Sequence, residues 1–287
     1  MNKIESGFKE AEKITRDFAK TFYFASLFLP KDKRIASYTV YAICRLSDEA
    51  ADNNGLNQKE KKIEEIKDKI DLSYSALPIE DSLLMAFRAT VNKYNIPKDY
   101  FYELLEGMRM DLTKKCYADI DELKLYAYRV AGVVGLIMLR IFGSQEKNAE
   151  TYALKLGEAM QLTNILRDIK EDLQKGRLYL PLDELKNFNL SEKEIEEMRV
   201  NENFKSLMKF QIERARESYK ESRKGVSFIK CPRSRLAIRL MQEIYSGILK
   251  EIEHNNYDVF SKRAAVKTPK KILMAIKILL EGPCPCK

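Results

Sequence analysis

The stretch from Gln161 to Pro181, QLTNILRDIKEDLQKGRLYLP, constrains this chain more than any other. Asn164, Asp168 and Asp172 stand at i, i+4 and i+8, so a helix stacks an amide and two carboxylates on one face. Leu162, Ile165, Leu166, Ile169 and Leu173 fill other faces of the same helix and favour its burial. A buried edge with two carboxylates is costly, and like charges at i,i+4 repel. A solvated acidic stripe is one resolution. A hard divalent cation is the other, because Mg2+ takes one or two carboxylates and completes its shell with phosphate and water.

A second stretch shifts the balance toward the cation. In CRLSDEAAD, Arg45, Asp48 and Asp52 lie at i, i+3 and i+7, again on one helical face. Two helices with the same device, far apart in the chain, could face each other and cage metal ions in carboxylates. Arg45 would stand beside that cage, which suits a diphosphate. The net charge of +8 fits an anionic partner of this kind. Nucleic acid is not expected, since no nucleic-acid module is legible.

With only 11 Gly and 8 Pro in 287 residues, long uninterrupted helices are favoured. No stretch alternates with period two, so an all-α chain is expected. The five cysteines (Cys44, Cys116, Cys231, Cys284 and Cys286) show neither disulfide nor zinc spacing, and His254 is the one histidine. A reducing, cytoplasmic setting fits. The charged, amphipathic N-terminus is not a signal peptide. The longest apolar run, Val130–Leu139, is about half the roughly 20 residues of a membrane span.

In chain order, helices are expected over Ile4–Ala19, Lys31–Asp52 with Asp32 as cap, and the charged QKEKKIEEIKDKI segment, read as a solvated surface helix. An Asn53-Asn54-Gly55 turn separates the last two. Pro78 and Pro97 bracket another helix, Ser82–Tyr94, and Lys98–Leu112 follows, read mainly as core, with Asp111 as the residue to watch. In YAYRVAGVVG, Ala131, Gly132 and Gly135 mark either close helix packing or space for a ligand tail. The same small character recurs on the central helix, where Gln161, Gly157 and Ala153 precede Asn164 on its face. A long helix over about 203–229 turns Phe204, Leu207, Phe210, Ile212, Ala215 and Tyr219 inward. Leu236–Ile252 carries Tyr245. The segment 268–287 is a basic amphipathic helix with a frayed tail. It starts with Thr268 as cap and Pro269 in the first turn, and either docks on the bundle or touches a membrane surface.

These motifs carry a resemblance over nearly the whole chain. AKTF, YAICRLSDEAAD, GMRMDL, YAYRVAGVVG, QLTNILRDIKEDLQKGRLYLP and NNYDVFSKR resemble the squalene/phytoene synthase family, the head-to-head prenyl synthases. The resemblance implies an all-α isoprenoid synthase fold, one domain over residues 1–287 around a central cavity. It implies two or three Mg2+ ions held with bound diphosphate by Asp48, Asp52, Asn164, Asp168 and Asp172. By the same likeness Lys20, Thr21, Arg45, Arg167, Arg177, Tyr245 and Arg263 grip the diphosphates, and Tyr126 and Gln161 line the reaction centre. AKTF departs from the family pattern, with Ala19 where a hydroxyl residue is common and Phe18 where some members have His.

Within the family the chain looks most similar to bacterial presqualene diphosphate synthases of hopanoid pathways. That likeness implies condensation of two farnesyl diphosphates, no NADPH, and hand-over to downstream isoprenoid enzymes. Peripheral contact with the inner face of the membrane is compatible with it. The alternative is a phytoene synthase acting on two geranylgeranyl diphosphates. A non-enzymatic scaffold would be expected to lose acidic-motif residues, and all five are present.

Overall fold

Helices follow one another almost without interruption, as the scarcity of Gly and Pro requires. The computed structural model describes residues 2–52, 56–144, 146 and 148–282, without the side chains of residues 49–52, 56 and 57. The first elements are α1 (Lys3–Phe18), α2 (Lys20–Ser26), α3 (Lys31–Asp52), α4 (Leu56–Tyr74), α5 (Ser82–Tyr94), α6 (Lys98–Thr113) and α7 (Ile120–Ala127). A π-helical turn, Tyr128–Gly132, joins α7 to α8 (Val133–Phe142). Then come α9 (Asn148–Gln174), the short α10 (Leu182–Asn187) and α11 (Glu192–Glu196), α12 (Glu202–Arg223), α13 (Pro232–His254) and α14 (Thr268–Glu281). The described residues contain no strand, only an isolated parallel bridge between Cys116 and Leu178. The fold is the all-α one expected.

Helices α3, α6, α8, α9 and α13 form the wall of the molecule's central space. α6 packs on α3 and α8, α9 on α8, α12 and α13, and α13 on α2 and α14. One buried apolar cluster runs through all of it, from Ala11 to Ile278.

Several local expectations change. The N-terminal helix ends at Phe18, within one residue of the expected Ala19 (φ −125°, ψ 56°), but a short helix that was not expected, α2, follows at once and turns Lys20 and Thr21 toward the centre. Asp32 sits within the first turn of α3, where it accepts hydrogen bonds from Lys93 and Tyr94. Charged α4 is the surface helix expected, with the helically spaced Ile63, Ile66 and Ile70 buried and its charged residues toward water. Phe210 points outward rather than into the core, where it packs on Phe188 and under the Arg214 guanidinium. The long helix over 203–229 ends at Arg223 and tightens into a 3₁₀ turn, Lys224–Phe228. The residue capping α14 is Lys267, and Thr268 makes no capping hydrogen bond. The Asn53–Gly55 turn and the tail with Cys284 and Cys286 lie outside the described residues.

The apolar run around 130–139 belongs to a longer continuous helical segment, Ile120–Phe142, of 23 residues. By length and composition it could cross a bilayer. Its π turn and α8 instead pack against α6 and α9, and 56% of its apolar window is buried within the protein, as in a core helix.

Candidate active site

The central space is a cavity of about 1050 Å³. Thirteen of the fourteen residues singled out from sequence line it: Lys20, Thr21, Arg45, Asp48, Tyr126, Gln161, Asn164, Arg167, Asp168, Asp172, Arg177, Tyr245 and Arg263. The fourteenth is Asp52, whose side chain lies outside the described residues. Helical spacing explains the convergence. α9 sends Ala153, Gly157, Gln161, Asn164, Asp168 and Asp172 down one wall, while Arg45 and Asp48 enter from α3.

The wall is not one straight helix. Asp168 leaves helical geometry (φ −108°, ψ 15°) and bends α9 at its acidic end. There the carboxylate is held between two guanidiniums. Arg167 Nε donates to Asp168 Oδ1 at 2.7 Å. Arg263 Nε and Nη2 donate to its two oxygens at 2.8 and 2.9 Å, and Nε also reaches Glu171 at 3.2 Å. Burial alone would raise the Asp168 pKa, but the hydrogen bonds and charges of Arg167 and Arg263 hold it below the usual carboxylate range.

Asp172, one turn on, behaves oppositely. Burial and then the negative charge of Asp168 push it up to about 7, against the pull of Lys175 and Arg177. Neighbouring Glu171 is also raised, by burial and by its contact with Asp168.

Arg263 arrives on a tight turn after α13. Asn256 and Tyr257 take left-handed backbone (φ 54° and 63°), and Asp258 accepts the N–H groups of Phe260 and Ser261. Lys170 of α9 then donates to the Phe260 carbonyl at 2.7 Å, pinning the turn to the acidic helix.

The end of α9 builds a second cluster. Gly176 adopts φ 73° as the left-handed residue after the helix, and the Arg177 N–H returns to the Asp172 carbonyl at 2.9 Å. The following residues run beside those after α6, with Leu178 N–H on the Lys115 carbonyl and Leu182 N–H on that of Tyr117. Arg177 and Tyr179 thereby meet Asp111. Tyr179 donates to Asp111 Oδ1 at 2.7 Å, Tyr126 donates to Oδ2 at 3.1 Å, and Arg177 Nη1 stands 3.7 Å from Oδ2.

The Tyr126 and Tyr179 rings stack at 5.0 Å, and Tyr117 stacks on Tyr179 at 5.6 Å. Burial first, and the Asp111 charge second, raise the pKa of both cavity tyrosines, so they stay neutral donors near pH 7. Asp111 and Tyr179 both line the cavity. Tyr179 went unassigned in the sequence, where the signal was an aromatic in GRLYLP directly after the acidic helix.

Hard oxygen donors fit a divalent cation here. Asp48, Asn164, Asp168 and Asp172 offer oxygen donors, and Cys44, which also lines the cavity, is kept a neutral thiol by burial and by the charge of Asp48. Asp172 is a half-buried carboxylate whose raised pKa is lowered again by any cation placed beside it. No three acidic groups among the described residues close on one point without a ligand. A Mg2+ shell made of one or two carboxylates plus phosphate oxygens needs no such cluster.

Away from these charges the cavity is apolar, with Val130, Val134, Met138, Leu139, Phe142, Leu156 and Met160 among its walls. Helix crossing shapes it. A Cβ on Gly157 would meet the Ala131 carbonyl oxygen at 2.5 Å, and one on Gly135 would meet that of Ala153 at 2.5 Å. Close packing thus explains both glycines, and the packed residues themselves form the wall. Gly225 lies so close to Tyr152 that a Cβ would sit 2.3 Å from it, and Tyr152 stacks on Phe228 at 5.6 Å. At the AKTF segment the Arg45 guanidinium lies over the Phe18 ring at 4.5 Å, and Lys271 of α14 donates to the Thr21 hydroxyl at 2.8 Å.

Comparison with known proteins agrees with this geometry. The squalene/phytoene synthase family model matches residues 15–270. The 15-cis-phytoene synthase of Synechocystis sp. is 35% identical over 94% of this chain and 83% of its own. Phytoene synthase of Arthrospira platensis is 37% identical over 91% and 88%. The chloroplastic phytoene synthase 2 of Solanum lycopersicum is 38% identical over 94% and 89%. Among solved structures, a dehydrosqualene synthase in complex with ligand superposes with a TM-score of 0.90 at 28% identity, covering 97% of both chains. A squalene synthase from Alicyclobacillus acidocaldarius gives 0.82 at 25% identity, covering 89% of this chain and 96% of that one. With two acidic helices opening onto one cavity and a family match along most of its length, this chain is a prenyltransferase of the squalene/phytoene synthase family.

Proposed function

We propose that the chain is a phytoene synthase, acting as one domain to condense two geranylgeranyl diphosphates into a C40 hydrocarbon. The carrying observation is that curated phytoene synthases are 35–38% identical over at least 91% of the chain. The dehydrosqualene synthase and squalene synthase structures stand at 28% and 25%. This replaces the farnesyl-specific, presqualene diphosphate reading to which the sequence motifs lean, and makes the alternative the main one.

The residues divide the work. Arg45, Arg167, Arg177, Arg263 and Lys20 neutralise diphosphate charge, with Thr21, Gln161 and Tyr245 as polar neighbours. Asp48, Asn164, Asp168 and Asp172, joined by Asp52, would hold Mg2+, which when bound stabilises negative charge on a departing diphosphate. In the absence of substrate, Arg167 and Arg263 occupy Asp168, and an incoming diphosphate offers those guanidiniums a second anion. The apolar walls keep water from the allylic cation left by ionisation.

The Tyr126 and Tyr179 rings line the cavity in which that cation forms, where aromatic rings stabilise positive charge. As neutral phenols hydrogen-bonded to Asp111 they do not serve as phenolate bases, so released diphosphate takes the proton. Joining two C20 units into a hydrocarbon expels both diphosphates and two protons, which requires no hydride and no NADPH. Diphosphate release on adding geranylgeranyl diphosphate to the purified chain with Mg2+ tests the reading. Release with farnesyl diphosphate alone counts against it.

A further inference from the structure

α14 is amphipathic twice over. One side, with Ala275, Ile278 and Met274, is packed into the protein against α13. The other carries Ile272, Leu273, Ile276, Leu279 and Leu280, all exposed, with Leu273 at 66% and Leu280 at 84%. Their spacing of i, i+1, i+4, i+7 and i+8 makes one continuous stripe along the helix. These five are nearly half of the eleven large apolar side chains exposed among the described residues. Leucines scattered singly on a surface need no explanation, whereas a contiguous apolar stripe does.

Charge identifies what covers it. Between residues 262 and 281 stand six basic residues, Lys262, Arg263, Lys267, Lys270, Lys271 and Lys277, against one acid, Glu281. Arg263 and Lys271 turn inward to the site and Lys270 pairs with Glu251, which leaves Lys262, Lys267 and Lys277 exposed on the outer side, with Glu281 beside Lys277. A two-fold dimer through the stripe would set that charge against itself. A bilayer with anionic headgroups takes both features together, the apolar stripe in the acyl boundary and the lysines at the phosphates. We propose that the exposed face of α14 is a docking surface for an anionic lipid bilayer.

The inner side of the same helix reaches the site. Lys271 Nζ donates to Thr21 Oγ1 on the cavity wall at 2.8 Å. A membrane-bound α14 therefore sets the cavity beside the lipid surface, where a long-tailed substrate and a hydrocarbon product both partition. The surface is independent of which prenyl diphosphate is used.

Co-sedimentation of the full chain with vesicles tests it, comparing phosphatidylcholine alone with phosphatidylcholine containing phosphatidylglycerol. The chain should pellet with the anionic vesicles, and binding should fall as salt rises. The double variant Leu273→Glu/Leu280→Glu should bind roughly tenfold more weakly or worse, with melting temperature and vesicle-free turnover unchanged. Lys267→Glu/Lys277→Glu should weaken binding to anionic vesicles while leaving the stripe intact. Failure of the wild-type chain to pellet would overturn the proposal. So would equal binding by the leucine variant, or a solution dimer that the leucine variant turns into monomer, since the stripe would then be a self-interface.

Discussion

Arg263 grips both carboxylate oxygens of Asp168 from a turn 95 residues further along the chain, at 2.8 and 2.9 Å. Together with Arg167 it makes Asp168 an ion-pair hub before any substrate arrives. Removing Asp168 therefore does more than relieve like-charge repulsion, which is all that the spacing in sequence suggests. Asp168→Ala should abolish turnover and also destabilise the metal-free protein by about 1–3 kcal/mol, because charged hydrogen bonds are lost and Arg167 stays largely buried. Thermal unfolding without substrate or metal measures this. An unchanged melting temperature contradicts the hub.

Asp172 gives a pH dependence of the opposite sign to that of a salt-bridged acid. Its native pKa, about 7, stands above the ordinary 3.8, so between those values the folded chain binds more protons than the unfolded one. Its contribution to stability then falls as pH rises from about 4 to about 7. The lowered Asp168 acts below that window, while raised Glu171 adds to the same trend. In metal-free protein, Asp172→Asn should flatten this decline and raise stability near pH 7 by at most about 4 kcal/mol, while turnover collapses. A variant melting profile parallel to that of wild type rules out Asp172 as the source.

Gly157 and Ala153 line the same wall but should answer differently to enlargement. A side chain on Gly157 runs into the Ala131 carbonyl, so Gly157→Leu should destabilise by about 1–3 kcal/mol or more and lose activity as a consequence. Ala153 already has its Cβ, and Ala153→Phe should shorten the apolar channel. Its expected signature is poorer use of the longer substrate, with a smaller loss of stability than at Gly157. Melts and steady-state kinetics on both variants separate the two effects.

Tyr179→Phe removes one of two phenolic donors to Asp111 while preserving the ring stack. Stability should drop by about 1–2 kcal/mol from the under-satisfied carboxylate. Turnover should fall less than in Tyr179→Ala, which also removes the aromatic face. Equal kcat in the two variants would deny the ring a role.

Helical periodicity made much of this legible. Ser82–Tyr94 is helical between the same two residues in the structure, and helical spacing delivers Arg45 and Asp48 of α3 and Asn164, Asp168 and Asp172 of α9 to one cavity. What periodicity hides is whatever breaks it. The bend at Asp168 leaves no Pro or Gly to read, and α2 restarts directly after the Ala19 break with no turn residue to announce a second helix. Tyr179 reaches Asp111 through backbone pairing of 178–183 with 115–118, a long-range contact that local patterns do not encode. Phe210 satisfies helical spacing yet faces outward, stacked with Phe188 and Arg214. Chain-length preference lay beyond the motifs, since Asp48, Asn164, Asp168 and Asp172 handle diphosphates whatever tail they bear.

Substrate choice is the centre of the account, and product mass measures it directly. Purified chain given Mg2+ and an equimolar mixture of farnesyl and geranylgeranyl diphosphates, without NADPH, should yield a C40 hydrocarbon as the dominant product. A C30 product, or a cyclopropyl diphosphate built from farnesyl units with geranylgeranyl diphosphate left unconsumed, would contradict it.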